Sequence, residues 1–519
     1  MSSMDHHNNA VKAIASQVEN FYKRKEPFRI YHGSTNSTRI VQFDRKKMLD
    51  MSNFNHVLKV DKDRQVALVQ PNVPMDALAE ETLKHGLIPP VVMEFPGITT
   101  GGGFSGVAGE SSSWKWGFFD RIVNWCDVIL PTGEIAKASP TEHSDLFYGA
   151  PGTYGTLCVT TLFEIQLIPA KKFVELEYVT VDSVPSAIET LQRAMAEEKH
   201  EYIDGIMFSL KRGTIMLGKL TDSPSTKTQR FSRAWDNWFY LHADSVTKVG
   251  KPNHVEAVPL TDYLFRYDRG AFWTGRYAFK RFHTPFDRLS RLILDRLMHT
   301  RRMYAALNAS GFTQQYIIQD LALPFDGAED FINWVDGAVK NYPLWLCPLR
   351  VENAGAVPLH AKIGRDPEKK AAAATSASPA DSGAESGGGA TETTGISAAG
   401  AGAGAAGGGP QFLLNVGVWG PGPRKAEPFV KLNRELEAEV RRLGGFKWLY
   451  ANAYYTEDEF WQIYDKSWYD GLRSKYKAET LPNVYDKVKA KEERVPISGL
   501  RGIKTAMLGG TSGKHLLGK

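Results

Sequence analysis

Cysteine is scarce and scattered in this chain. Of 519 residues only Cys126, Cys158 and Cys347 are cysteines, an odd number placed far apart in apolar runs. That excludes a disulfide framework and predicts buried, reduced thiols. Paired Cys/His spacings and H-x-x-x-H are absent, so no metal site is indicated. No stretch approaches the roughly 18 uninterrupted apolar residues of a membrane span. The opening MSSMDHHNNAVKAIASQ lacks the apolar core of a signal peptide. A cytoplasmic protein is expected, at most peripheral to a membrane. One-sided charge is lacking too: 63 bases against 58 acids leave +5. That describes a solvated surface with at most a weak pull toward anionic lipid, and no nucleic-acid partner is expected. At 42% hydrophobic and 11% aromatic, a chain of this length can bury a large core, and two domains are the prior.

What the chain does have is glycine, concentrated. Thr99 to Gly117, TTGGGFSGVAGESSSWKWG, carries six glycines and four serines. Glycine reaches φ > 0 freely and lets the backbone come close to a neighbour. Successive N–H groups with serine hydroxyls beside them suit phosphate oxygens. A pyrophosphate-bearing cofactor is therefore expected at Thr99, Thr100, Gly101, Gly102, Gly103, Phe104, Ser105, Gly106, Val107, Ala108, Gly109, Glu110 and Ser111, with Glu110 alternatively a carboxylate that organises the loop. GGGFSG also satisfies G-x-G-x-x-G. Its context does not, because Pro89, Pro90 and Pro96 precede it and Gly106, Gly109 and three serines follow, where a Rossmann fold needs a strand and a helix. A solvated surface loop is the alternative. Phe104, Trp114, Trp116, Phe118 and Phe119 make the segment too aromatic for that.

Downstream, Ile122–Leu130 reads as a strand, Pro131-Thr-Gly133 as a turn and Glu134–Ala136 as the return. Ser144–Pro169 holds a helical turn, a Gly-Thr-Tyr-Gly loop and an apolar strand from Leu157 to Ile168. With these motifs in order, the chain resembles the FAD-binding domain of the vanillyl-alcohol-oxidase (PCMH) type. More narrowly, GESSSWKWGFFDRIV, SDLFYGAPGTYGTL and LIPAKKFVELEYV resemble the delta-24 sterol reductase (diminuto/dwarf) family. YIDGIMFSL, YPLWLCP, GGFKWLYANAYYTEDEFWQIYD and LPNVYDKV extend that likeness to Val488.

The resemblance implies an α+β fold in two parts, an FAD-binding domain with two subdomains and an α+β substrate cap. The expected boundaries are an N-terminal extension over 1–17, the FAD domain over 18–170 and the cap over 171–365. Completion of the cap and a flavin-proximal segment follow over 411–490, then a loose tail over 491–519. Between them, 366–410 has a single large aliphatic residue, Ile396. It cannot offset its ordering entropy and reads as a disordered insert. The family pattern puts a first pyrophosphate loop at His32, Gly33, Ser34, Thr35, Asn36, Ser37 and Thr38, between strands Phe28–Tyr31 and Ile40–Phe43. It adds Gly152, Gly155 and Thr156 to the cofactor contacts. His32 is the residue at which some relatives attach flavin covalently; non-covalent FAD is expected here.

The remaining pattern predicts an amphipathic helix over Val11–Lys23, a hairpin Val57–Val60/Gln65–Val69 and a helix from Pro74 to Lys84. Amphipathic segments Val184–Met195, Arg288–Met303 and Ala328–Val339 alternate with strands Ile203–Leu210, Trp345–Val351 and Phe412–Val418.

For a sterol reductase, the implied substrate is an isolated side-chain alkene. A proton goes to C24 and hydride to C25, where the tertiary centre best carries positive charge, so a proton donor and aromatic faces are needed. Tyr450, Tyr454 and Tyr455 are candidate donors, each alternatively a strand residue packing the core, and Glu459 is a fourth. Glu459 reads as part of a capping box with Thr456. NADPH is the implied electron donor, although no motif locates it. Three function classes stay open: an FAD-dependent reductase of a sterol or other apolar alkene, an oxidase of an alcohol or sugar on the same fold, and a flavin-binding protein without catalysis.

Overall fold

The computed structural model describes residues 3–33, 35–39, 43–247, 253–351, 359, 361–363, 411–491, 494–508 and 516. The insert expected over 366–410, the loop residue Ser34 and most of the strand expected at Ile40–Phe43 lie outside them. The fold is mixed α+β. No helix among the described residues is long and apolar enough to cross a membrane.

The chain begins with a helix, Ser3–Lys23, which buries Val11, Ile14, Val18 and Phe21 along one face. Steps of three and four residues put those side chains on a single stripe. Arg29–Tyr31 then pairs in parallel with Met48–Asp50. An antiparallel five-stranded sheet follows, in the order Val57–Asp61, Val66–Val69, Val159–Gln166, Val123–Ile129, Ile135–Ala138. The Val57 hairpin and the turn at Gly133 stand where the sequence puts them, the latter at φ +90°.

The second sheet has eight strands, all antiparallel. Its order is His254–Pro259, Phe173–Val181, Arg212–Thr221, Tyr202–Ser209, Leu344–Val351, Gln411–Pro421, Tyr316–Pro324, Phe446–Lys447. Strand alternation sorts its two faces. Leu344 and Leu346, Leu414, Val416 and Val418, and Ile317 and Leu321 pack under helices Val184–Glu197, Phe325–Ala338 and Ala426–Arg442. The intervening Trp345, Cys347, Asn415, Trp419 and Asp320 turn the other way and line a cavity against the first unit. One core runs through both units, since the C-terminal helix Lys466–Lys475 returns to the first and Arg473 Nη1 donates to Thr156 O at 3.0 Å.

Three expectations are corrected. The segment Arg288–Met303 is not one helix: Arg288–Leu294 ends in a 3-10 turn, Asp295–Leu297, and a new helix runs Thr300–Ser310. Asp268 causes the break, taking the His299 ring and Thr300 N (3.0 Å) from outside the helix. The tail expected to be loose contains a helix, Gly499–Met507, capped by Ser498 and buried through Gly502 and Ala506 against Thr300–Ser310. Leu516 is buried as well and accepts from Phe43 N at 2.8 Å. Finally, Tyr450, Tyr454 and Tyr455 are not in a strand; strand pairing there is confined to Phe446–Lys447, with an isolated bridge from Ala453 to Lys489.

All three cysteines are buried and free. A spacing scan could not find the trio His242, His254 and Glu256, because His242 comes from a separate helix, yet their potential ligand atoms lie within 4.8 Å of one another. Glu256 there accepts from Tyr178 Oη (2.8 Å) and faces both imidazoles at 2.9 Å, which is hydrogen-bond spacing.

Candidate active site

The glycine-rich segment is a helix, not an open loop. Thr100–Gly106 forms about two turns capped by Thr99, whose side chain accepts from Gly102 N at 3.1 Å. Val107, at φ +51°, ends it. Gly101, Gly102, Gly103, Gly106 and Gly109 are all outside the positive-φ region, so left-handed backbone does not explain them. Packing explains three. A Cβ at Gly101 would lie 2.9 Å from Pro71 Cβ, one at Gly109 would lie 2.8 Å from Leu349 Cδ2, and one at Gly103 would collide with Met93. Gly102 and Gly106 differ. The nearest protein atom to a Cβ would be the Thr99 hydroxyl at 3.0 Å for Gly102 and the Tyr154 hydroxyl at 4.0 Å for Gly106. Both face the cavity, so the protein itself does not need them bare.

That cavity encloses about 300 Å³ between the two units, at the low end of the size of small-molecule sites. Its two ends differ in chemistry. At one end stand Arg29, Arg39 and Lys487, and no carboxylate makes an ion pair with any of them among the described residues. Arg39 Nη1 donates to Lys487 O at 3.0 Å and its guanidinium lies 4.9 Å over the Tyr154 ring, while Lys487 Nζ donates to Tyr154 O. Burial and then Arg29 and Arg39 pull Lys487 well below the usual lysine range. Burial, with Arg29 adding, brings Arg39 down to about 10. Burial and then Lys487 take His32 down to about 4, leaving its ring neutral at pH 7. Cations set against one another without counter-charge, Arg39 buried and Arg29 and Lys487 half-buried, are costly. A diphosphate would relieve them, and the bare Gly102 and Gly106 leave room for it. The residues present fit FAD.

The other end is aromatic and acidic. Phe95, Tyr304, Trp345 and Trp419 line it, with Phe272 behind them at ring separations of 5.0–5.4 Å from Phe95, Trp345 and Trp419. Asp204 fixes Trp345 by accepting its indole N–H at 3.0 Å. Asp320 accepts from Tyr450 Oη (2.8 Å), Asn415 Nδ2 (3.2 Å) and Trp419 Nε1 (3.4 Å). Burial raises Asp320, and these bonds oppose the rise. Glu94 has no bond to another side chain and no ion pair among the described residues, only its own backbone N–H, which favours its ionised form. Burial first, with Asp320 and Glu110 adding to it, pushes its carboxyl up to about 8, so it holds a proton at pH 7.

Of the residues expected on the cofactor, His32, Thr35, Asn36, Ser37, Thr99, Gly101, Gly102, Ser105, Gly106, Ala108, Gly109 and Gly155 line this cavity, as does Tyr450. Others stand behind it. Thr100 Oγ1 donates to Val73 O, Phe104 packs on Phe163, and Val107 O accepts the Trp448 indole. Gly103 is closed in by Met93 and Phe119. Gly33 and Gly152 take positive φ in turns, Thr38 is buried, and Thr156 meets Tyr469. Glu110 and Ser111 are turned into the protein. The Glu110 carboxylate takes the hydroxyls of Ser111 and Ser112, and Ser111 O accepts from Ile203 N of the cap sheet. Glu110 therefore organises its loop. Tyr454 is also outside the cavity, stacked edge-on to Phe429 with its N–H on Glu437. Glu459 closes the capping box with Thr456.

Sequence reasoning passed over Arg29, Arg39, Lys487, Glu94 and Asp320. Asp320 in YIIQDLALP and Glu94 in PPVVMEFP are lone charges in apolar stretches, which is a usable signal, whereas Arg29, Arg39 and Lys487 stand among polar and charged neighbours.

Comparison with known proteins agrees with this geometry. Residues 9–139 match the model of an FAD binding domain. Over 468 residues, 88% of this chain and 80% of the relative, the sequence is 26% identical to the delta(24)-sterol reductase of Homo sapiens. It is 28% identical over 469 residues to that of Pisum sativum, covering 85% of this chain and 76% of the relative. At the level of family, this chain matches the delta(24)-sterol reductases. It is an FAD-binding oxidoreductase related to them. A shorter likeness, 29% identity over 150 residues, joins it to cytokinin dehydrogenase 4 of Oryza sativa, covering 29% of this chain and 28% of that one.

Proposed function

We propose that the protein saturates the C24–C25 double bond of a sterol, or of a similar apolar alkene, with electrons from NADPH. The observation that carries this reading is the presence in one cavity of an aromatic chamber and the half-buried Glu94 carboxyl, whose ionisation is pushed up to about 8. FAD, when bound, supplies hydride transfer from a nicotinamide to an alkene carbon.

The chain's residues have separable tasks. Arg29, Arg39 and Lys487 hold the diphosphate, with Gly102 and Gly106 leaving it space. Phe95, Tyr304, Trp345 and Trp419 exclude water and offer aromatic faces to positive charge developing at C25. Glu94 gives its proton to C24. Tyr450 is less suited to that step, because its hydroxyl is already committed to Asp320 and its own ionisation is pushed far up by burial and that carboxylate. It is a positioning residue. Glu94 recovers its proton from solvent between turnovers.

The test is an anaerobic titration. NADPH should bleach the flavin, and a sterol with a C24–C25 double bond should restore the colour. In Glu94→Gln the bleaching should persist and the restoration slow by about 10²–10⁴-fold, the usual range for a lost general acid. No bleaching by NADPH, with rapid aerobic turnover of an alcohol, would favour the oxidase reading.

A further inference from the structure

We propose that helices Arg288–Leu294 and Gly499–Met507, with Phe282 and Ile497 beside them, form a docking surface for an anionic lipid bilayer. Exposed large apolar side chains are not spread evenly over this molecule. Eight of the thirteen among the described residues come from 282–293 and 497–508. They include the most exposed of all: Leu500 at 82%, Leu508 at 75%, Ile293 at 70%, and Leu289 and Met507 at 64% each. Isolated exposed leucines need no explanation, whereas a concentration of them marks an interaction site.

The two helices belong to one region. Gly499–Met507 runs antiparallel to Thr300–Ser310: Ser498 N donates to Ser310 O at 2.9 Å, and Arg302 Nη1 reaches Ala506 O at 2.6 Å. Its end at Leu508 thus lies beside the start of Thr300–Ser310, which Arg288–Leu294 enters through Asp295–Leu297. Its other end meets Phe282, which a Cβ on Gly499 would approach to 3.2 Å.

Charge selects the occupant. Residues 280–310 and 494–508 contain ten lysines and arginines and only two acids, Asp287 and Asp295. Asp287 caps a helix and Asp295 is paired with Arg269, while of the bases Arg301 is paired with Asp76. The excess of eight exceeds the +5 of the whole chain, so the rest of the molecule is net negative. Apolar side chains ringed by Lys and Arg are the pattern that inserts at the boundary of an anionic leaflet. A second copy of this chain would oppose the same positive field, which disfavours self-association. The surface also adjoins the cavity. Gly499–Met507 covers one side of Thr300–Ser310, and Tyr304 of that helix lines the chamber from another. The proposal does not depend on the sterol reading, because it concerns binding alone.

The test is flotation of the full-length flavoprotein with vesicles of phosphatidylcholine alone or mixed with phosphatidylserine. The protein should float with the mixed vesicles, far less with phosphatidylcholine, and progressively less as salt rises. Leu500→Glu and Ile293→Glu should each weaken binding about tenfold or more, since each removes an inserted side chain and adds a repelled charge. Ile135→Glu, at an exposed apolar residue elsewhere, should change nothing. Flavin absorbance and melting temperature are read for each variant to show that the fold is kept. Failure of the wild type to float with mixed vesicles would overturn the proposal. So would equal flotation of Leu500→Glu, or a concentration-dependent dimer that Leu500→Glu dissociates, which would identify the face as a self-association surface.

Discussion

Gly102 and Gly103 are adjacent glycines in one helix, and the structure gives them opposite reasons to be glycine. A side chain at Gly103 would press into Met93 and Phe119, whereas one at Gly102 would enter the cavity. Gly103→Ala should therefore destabilise the protein by about 1–3 kcal/mol, the usual cost of overpacking. That lowers the melting temperature by several degrees with or without flavin. Gly102→Val has no such cost. Glycine is about 1 kcal/mol poorer than alanine inside a helix, so replacing it recovers part of that, offset by crowding of the Thr99 cap, itself worth about 1 kcal/mol. The flavin-free fold should melt within a degree or two of wild type. Its isopropyl group, however, occupies space needed by the cofactor, and a clash of about 1–3 kcal/mol weakens binding roughly 5- to 150-fold. Visible-to-ultraviolet absorbance ratios after gel filtration measure occupancy, and thermal melts measure the fold. A Gly102→Val protein that keeps full flavin, or a Gly103→Ala protein that melts normally, would refute the assignment of these two positions.

Other consequences can be checked independently. Arg39→Ala and Lys487→Met should each weaken flavin binding by roughly 10- to 100-fold, as expected for loss of one charge-assisted bond of about 1.5–3 kcal/mol, measured by fluorescence quenching on titrating FAD. Acid precipitation should release the yellow chromophore into the supernatant; colour that stays in the pellet and disappears in His32→Ala would mean a covalent bond. Burial opposes protonation of His299, but hydrogen bonds and charges from Asp268 and Asp295 hold it up to about 9. Its contribution to stability is fully present below about pH 6.5 and is lost as pH rises through about 9. His299→Gln should thus lower the melting temperature at pH 6 and match wild type near pH 10. Removing 366–410 and joining the flanks with a short Gly/Ser linker should leave flavin content and melting temperature unchanged; a large drop in either would mean that the segment is structural.

How much of this was legible in the sequence depended on range. Periodicity sufficed for the Val11–Lys23 part of the helix Ser3–Lys23 and for the Val57 hairpin, because local patterns decide them. The glycine-rich segment does line the cavity, but its conformation was misread. Helix propensity argues against TGGGFSG, yet a Thr99 cap and tight packing on Pro71 and Met93 outweigh propensity over so short a span. The break at Met298–His299 was invisible because its cause, Asp268, is 31 residues from His299 in sequence. Tyr450 and Tyr454 sit in the same LYANAYY string, but only the first reaches the cavity, since the segment between them turns instead of extending. The basic end of the cavity could not be read at all. Arg29, Arg39 and Lys487 meet only when the C-terminal segment folds back on the first unit.

The central claim is reduction of a side-chain alkene, and it is tested most directly by a single turnover without oxygen. Protein reduced with one equivalent of NADPH is mixed with one equivalent of a sterol bearing a C24–C25 double bond, and the sterol is then extracted and weighed by mass spectrometry. The account predicts a product heavier by two hydrogens, saturated at C24–C25, in an amount matching the flavin reoxidised. Sterol recovered unchanged beside flavin that stays reduced until air is admitted would contradict it.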